Sequence, residues 1–138
     1  SVDLLGGKPQ RFAEDQRPHL VTIMGEDEYN TAQTLPPFAL RDLGRDFKLS
    51  YVFAKEDSPN DFPGMEVIDD ADVVLVSVRR RFPAPEQLAP LRRFVAAGKP
   101  MVGIRTASHA FSSRDPASIP KGRDSWPTFD ADVWGGHY

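Results

Sequence analysis

Short apolar runs alternate with helically spaced ones along this chain, regularly enough to predict its elements. His19-Leu-Val-Thr-Ile-Met24 is apolar and β-branched and closes at Gly25, which predicts a first strand. Residues 47–53 alternate apolar and polar positions and then turn apolar throughout, a second strand. In Ala71-Asp-Val-Val-Leu-Val-Ser-Val78 five of the last six residues are Val or Leu, which suits a strand covered on both faces. Met101, Val102 and Ile104 form a fourth strand behind Gly98 and Pro100.

The intervening stretches read as helices and turns. Residues 31–44 are helical in character, but Pro36-Pro37 predicts a break, with Pro37 opening a short helix that carries Phe38, Leu40 and Leu43 and ends at Gly44. A turn cluster at 57–64 precedes a short helix over 65–70. Residues 86–97 place Leu88, Leu91, Phe94 and Val95 on one side, Arg92 and Arg93 on the other and Gly98 at the stop. Pro90 fits such a helix only near its start, where an N–H has no intrahelical partner. Ala107, Ala110 and Phe111 anchor a further short helix, residues 112–128 read as a long irregular loop, and a last helical turn stops at Gly135-Gly136. Residues 1–17 lack periodicity and form an N-terminal arm to one domain over 18–138. The β-α-β-α-β-α-β order predicts an α/β fold, a mostly parallel sheet with right-handed crossovers and helices on both faces.

With 138 residues, 40% of them hydrophobic, the chain has material for one core. A net charge of −3 provides no basic surface, so neither nucleic acid nor an anionic membrane is indicated as a partner. The exception is Arg79-Arg80-Arg81, which is either a solvated strand end or an anion-binding element. The absence of cysteine removes disulfides and thiolate chemistry but does not fix the compartment. No apolar run approaches the roughly 18 residues of a membrane span. The start at Ser1 leaves cytoplasmic and exported locations both open. Neither Gly-x-Gly-x-x-Gly nor Gly-x-x-x-x-Gly-Lys-Ser/Thr occurs, so no nucleotide cofactor is indicated and the cofactor stays open.

Candidate chemistry gathers after the fourth strand, where Arg105, Thr106, Ser108 and His109 crowd into five residues. Ligands of open α/β sheets bind outside the carboxyl ends of the strands. Arg105 suits a carboxylate or a pair of sugar hydroxyls, or else an ion pair with Glu26 or Asp27. Thr106 and Ser108 suit helix capping more than nucleophilic attack. His109 suits acid–base work or a packed structural role. Ser108 and His109 are adjacent on a helix, where side chains point about 100° apart, so they are not expected to face each other. Glu26, Asp27 and Glu28, which follow the first strand together with Tyr29, either complement a helix dipole or contact ligand, and Arg79 stands at the end of the third strand. His137 could approach His109 and an acidic residue, though no metal-ligand spacing is present. Trp126, Trp134, Tyr29 and Tyr138 could supply a stacking face for a sugar, although core packing is the expectation for Trp134 at least.

Three segments carry a resemblance: residues 70–78, residues 91–111 with the block Gly-Lys-Pro-Met-Val-Gly-Ile-Arg-Thr-Ala-Ser-His, and residues 126–137 with Trp-Gly-Gly-His. Together they resemble the ThuA-like (trehalose-utilisation) domains of the class I glutamine amidotransferase-like superfamily. The resemblance implies a flavodoxin-like three-layer sandwich of strand order 2-1-3-4 with further strands, in a domain that normally extends beyond Tyr138. It also implies a sharp strand-to-helix turn, at which the amidotransferase relatives carry cysteine in Gly-x-Cys-x-Gly. Here the aligned triplet is Gly103-Ile104-Arg105, and a guanidinium that stays protonated cannot be a nucleophile, so thiolate hydrolysis of glutamine is excluded. The expected function is binding or processing of a carbohydrate-derived small molecule at the carboxyl edge of the sheet. In it Arg105 holds the ligand with Thr106, Ser108 and Arg79, His109 is the acid–base candidate, and Glu26 or Glu28, counted among the ligand-binding residues, orients Arg105 or His109. Two alternatives stay open: a non-catalytic binding or assembly module that kept the fold, and a fragment whose chemistry lay further on. A homo-oligomer is compatible with each.

Overall fold

A computed structural model describes residues 15–137 of the chain. Most of the expected N-terminal arm, and Tyr138 with its suggested stacking role, lie outside the described residues. Four strands, β1 (His19–Gly25), β2 (Lys48–Phe53), β3 (Val73–Val78) and β4 (Met101–Gly103), form one parallel sheet of order β2-β1-β3-β4. Helix α1 (Thr31–Asp42) joins β1 to β2, a 3-10 turn (Met65–Asp70) precedes β3, and α2 (Pro85–Ala96) leads to β4. The fold is therefore α/β and flavodoxin-like. α1 packs on β1 and β2 on one face, while α2 covers the other face and packs with the 3-10 turn.

The period of two along the strands sorts the core. Val21 pairs with Val74, and Ile23 lies between Val52 and Val76, all on the face that α2 covers with Leu88, Leu91 and Phe94. On the opposite face Leu20, Thr22, Met24 and Ser77 are buried, whereas Val102 on the β4 edge is 48% exposed.

Two helices depart from the sequence expectation. α1 runs unbroken through Pro36 and Pro37. The hydrogen bonds these prolines forgo would have ended on the carbonyls of Ala32 and Gln33, and both of those residues are exposed, where water can solvate an unpaired carbonyl. Continuity also rotates the helix so that Thr31 and Ala39 face the sheet, leaving Phe38 and Leu40 exposed at 42% and 71%. α2 begins at Pro85, which makes Pro90 its sixth residue, past the partnerless first turn. It gives up a bond to exposed Glu86 and buries its ring instead.

After β4 the chain closes over an aromatic cluster. Phe129 packs edge-to-face against Phe111, Trp126 and Trp134, with centroids 5.1, 5.0 and 5.8 Å away. The Trp126 indole N–H donates to Asp132 Oδ2 at 2.8 Å and that of Trp134 to the Ala107 carbonyl at 3.2 Å. Both tryptophans pack in the core, the alternative expected for Trp134, and Trp126 joins it there instead of forming a sugar-stacking face. Their cluster ties down the otherwise irregular residues 112–128, and the backbone N–H of Trp126 reaches the Phe111 carbonyl at 2.7 Å.

Candidate functional site

The loops that leave β1, β3 and β4 meet at the carboxyl edge of the sheet. Each contains a non-glycine residue in the left-handed region: Asn30 (φ 58°), Arg80 (φ 48°) and Arg105 (φ 57°). Such conformations cost energy and persist only where the surroundings impose them. At Arg80 the imposing contacts are visible. The N–H groups of Arg79, Arg80 and Arg81 reach the carbonyls of Gly25, His109 and Ala110 at 3.0, 3.2 and 2.8 Å, which knits the three loops together.

Glu26 lies at the base of this edge. Its carboxylate accepts from the N–H groups of Glu28, Tyr29 and Thr31 at 2.7, 2.6 and 2.8 Å and from the Thr31 hydroxyl at 2.6 Å. Burial opposes its charge, yet these hydrogen bonds outweigh burial and hold the carboxyl below its ordinary value. Thr31 Oγ1 also lies 2.8 Å from Ser77 Oγ, linking α1 to β3. Glu26 thus organises the β1 loop and the start of α1, with its acceptor capacity spent inside the protein.

The arginine run is not a uniform solvated strand end. Arg81 is 7% exposed; its Nε donates to the Gly25 carbonyl at 3.2 Å, its Nη1 to the Pro59 carbonyl at 3.1 Å, and its Nη2 pairs with Asp27 at 2.9 Å. Arg79 is exposed and pairs with Glu28 at 3.2 Å. Arg80, between them, donates from Nη1 to the Ser112 carbonyl at 3.1 Å. These residues line a cleft of about 600 Å³ between the β1 and β3 loops, with Asn60 from the loop after β2 and Ser118 from the 112–128 segment. Asn60 Oδ1 accepts the N–H of Phe82 at 2.9 Å, which turns its amide N–H groups elsewhere.

The turn after β4 has the sharp geometry that the sequence resemblance implies, with left-handed Arg105 two residues beyond the strand. Its side chain does not pair with Glu26 or Asp27, both of which are engaged elsewhere. Its guanidinium lies over the Tyr29 ring, 4.7 Å from the centroid. The expected helix is one 3-10 turn (Ala107–His109) with no side-chain cap. The N–H groups of Ala107 and His109 already bond the carbonyls of Ile104 and Thr106, so the Thr106 hydroxyl reaches across to the Val78 carbonyl at 3.4 Å. Ser108 and His109 do approach each other, Oγ to Nδ1 at 3.2 Å, because both atoms lie close to the main chain. His109 is 6% exposed. Burial, and then the charges of Arg80, Arg79 and Arg114, push its imidazole below the ordinary value against a weaker opposing pull from Glu28.

The predicted site residues therefore divide. Glu28 and Arg79 line the larger cleft, while Arg105 and Ser108 line a separate recess of about 250 Å³ beside Trp134 and Asp130. Glu26 is largely buried and lines a different recess of about 410 Å³ with Asp27, Asn30 and Arg81, apart from the one that Arg105 and Ser108 line. Sequence reasoning overlooked Asn60 as a cleft residue and left Asp27, Arg80 and Arg81 undecided. The run of three arginines was the available signal, but which of them turns inward depends on carbonyls supplied by distant loops. No group of three or more His, Asp or Glu side chains among the described residues is arranged to hold a metal ion. Comparisons with family models, curated proteins and solved structures find no match to this chain.

Proposed function

We propose that this is a ThuA-like domain that binds a carbohydrate-derived small molecule in the cleft between the β1 and β3 loops, and that its role is recognition. One observation carries the reading. The cleft lies at the switch point of the sheet, where one connection leaves β1 toward β2 and the next crosses back to β3, and guanidinium and carboxylate groups alternate on its wall. Sugar hydroxyls donate and accept at once, so a wall that offers both donors and acceptors suits them. Binding without turnover is favoured because Arg105 occupies the sharp turn where an amidotransferase carries its nucleophile. His109 is buried behind the arginines, and its carbonyl fixes the Arg80 backbone. A processing role has one feature in its favour, a histidine beside the arginines, its imidazole held by burial below the ordinary value.

Calorimetric titration with a panel of mono- and disaccharides and their oxidised forms tests the proposal, using the wild type and the Arg79→Ala, Arg105→Ala and His109→Ala variants. A ligand whose affinity falls about tenfold or more with Arg79→Ala and stays unchanged with Arg105→Ala supports the cleft. A loss confined to Arg105→Ala relocates the site to the smaller recess. Silence across the whole panel refutes carbohydrate recognition.

A further inference from the structure

We infer that the ligand of the cleft is a polyhydroxy monocarboxylate, a sugar acid, whose carboxylate sits on Arg80. The inference rests on the reading of the cleft as a sugar site and adds the chemical class of its occupant. Of the three consecutive arginines, Arg79 is paired with Glu28 and Arg81 with Asp27, each within 3.2 Å. Arg80 has no carboxylate among the described residues within ion-pair distance, and its five guanidinium N–H donors make one hydrogen bond, to the Ser112 carbonyl. Its remaining guanidinium N–H groups are open at the cleft wall to an anion, which a guanidinium binds through paired, charge-assisted hydrogen bonds.

The backbone points the same way. Arg80 is held at φ 48°, a conformation that glycine or asparagine adopts at lower cost, by the bonds of its own N–H to His109 and of the next N–H to Ala110. The strain sets this side chain at the cleft wall between the loops that follow β1 and β4. Three guanidinium groups and two carboxylates line the cleft, an excess of one positive charge. That balance matches one carboxylate and leaves a phosphate dianion undercompensated. Asp27 and Glu28 have acceptor oxygens beyond their ion pairs, and Asn60 has amide donors, so the rest of the ligand is hydroxylated rather than apolar.

The test measures binding of gluconate, glucuronate, glucose and glucose 6-phosphate to the wild-type chain at constant ionic strength, and to Arg80→Gln and Arg80→Gly. The glycine variant suits the positive φ and keeps a folded comparison available even where the glutamine variant is strained, and circular dichroism verifies both. The expected result is that a sugar acid binds about tenfold or more tightly than glucose, and that either substitution removes this preference. Equal affinity for glucose and the acids overturns the carboxylate assignment and leaves the sugar site standing. Tighter binding of glucose 6-phosphate overturns the single-charge match. If none of the four binds, the inference and the sugar reading fall together.

Discussion

The carboxylate of Glu26 accepts both the backbone N–H and the hydroxyl of Thr31, at 2.8 and 2.6 Å. Glu26→Ala leaves these donors and the N–H groups of Glu28 and Tyr29 without their acceptor in a buried place, at a cost of about 2–4 kcal/mol. Urea denaturation at neutral pH measures it, and a change below about 0.5 kcal/mol would contradict the role. Because the folded carboxyl titrates below its ordinary value of 4.5, its contribution is present above that pH and lost as pH falls through the folded value.

His109 produces a second, less acidic pH dependence. Its folded imidazole titrates below the ordinary 6.5, so the stability it confers is complete above 6.5 and declines as pH falls from there toward the folded value. His109→Gln removes that decline. Denaturation midpoints between pH 7.5 and about 5.5 are expected to fall for the wild type and stay level for the variant, in a range above most carboxylate titration.

Arg79 and Arg81 are expected to respond unequally to truncation. Arg81→Ala strips buried donors from the Gly25 and Pro59 carbonyls and destabilises by about 2–4 kcal/mol. Arg79→Ala removes an exposed ion pair and changes stability by less than about 1 kcal/mol. Thermal melting of the two variants decides; comparable losses would mean that Arg81 is not buried as described.

The turn after β4 has no room for a side chain at Gly103. A Cβ there would lie 2.7 Å from Trp134 Cζ2 and 3.0 Å from Ala107 Cβ. Gly103→Ala is expected to cost about 1–3 kcal/mol and to alter the near-ultraviolet circular dichroism of the indole. A variant with wild-type melting and spectrum would rule out this close approach.

Arg105 and Tyr29 are coupled across two loops by the stacking of guanidinium on ring. A double-mutant cycle with Arg105→Ala and Tyr29→Ala is expected to give a coupling energy of about 0.5–1 kcal/mol, the range for partly exposed pairs. Additive losses would show that the two residues do not interact.

The sequence by itself determined the sheet. Apolar runs such as Val73 to Val78 and the helical spacing of Leu88, Leu91 and Phe94 are local patterns with a period set by backbone geometry, whereas the strand order 2-1-3-4 was an implication of the resemblance and not of any local pattern. The same local reasoning located the carboxyl edge and named Arg79 and Glu28, which do line its cleft. It failed at Pro36-Pro37, because the cost of a missing hydrogen bond depends on whether the carbonyl left behind meets water. It left Glu26 open between serving the start of a helix and contacting ligand, and the tryptophans open between stacking and core, and only the tertiary structure gave the Glu26 oxygens to the β1 loop and to Thr31 and the two indoles to the aromatic cluster. The fates of Arg79, Arg80 and Arg81 were decided by tertiary structure alone. Three identical side chains in succession differ only in the carbonyls and carboxylates that the loops at 25–28, 59 and 112 bring to them, and no local pattern encodes those meetings.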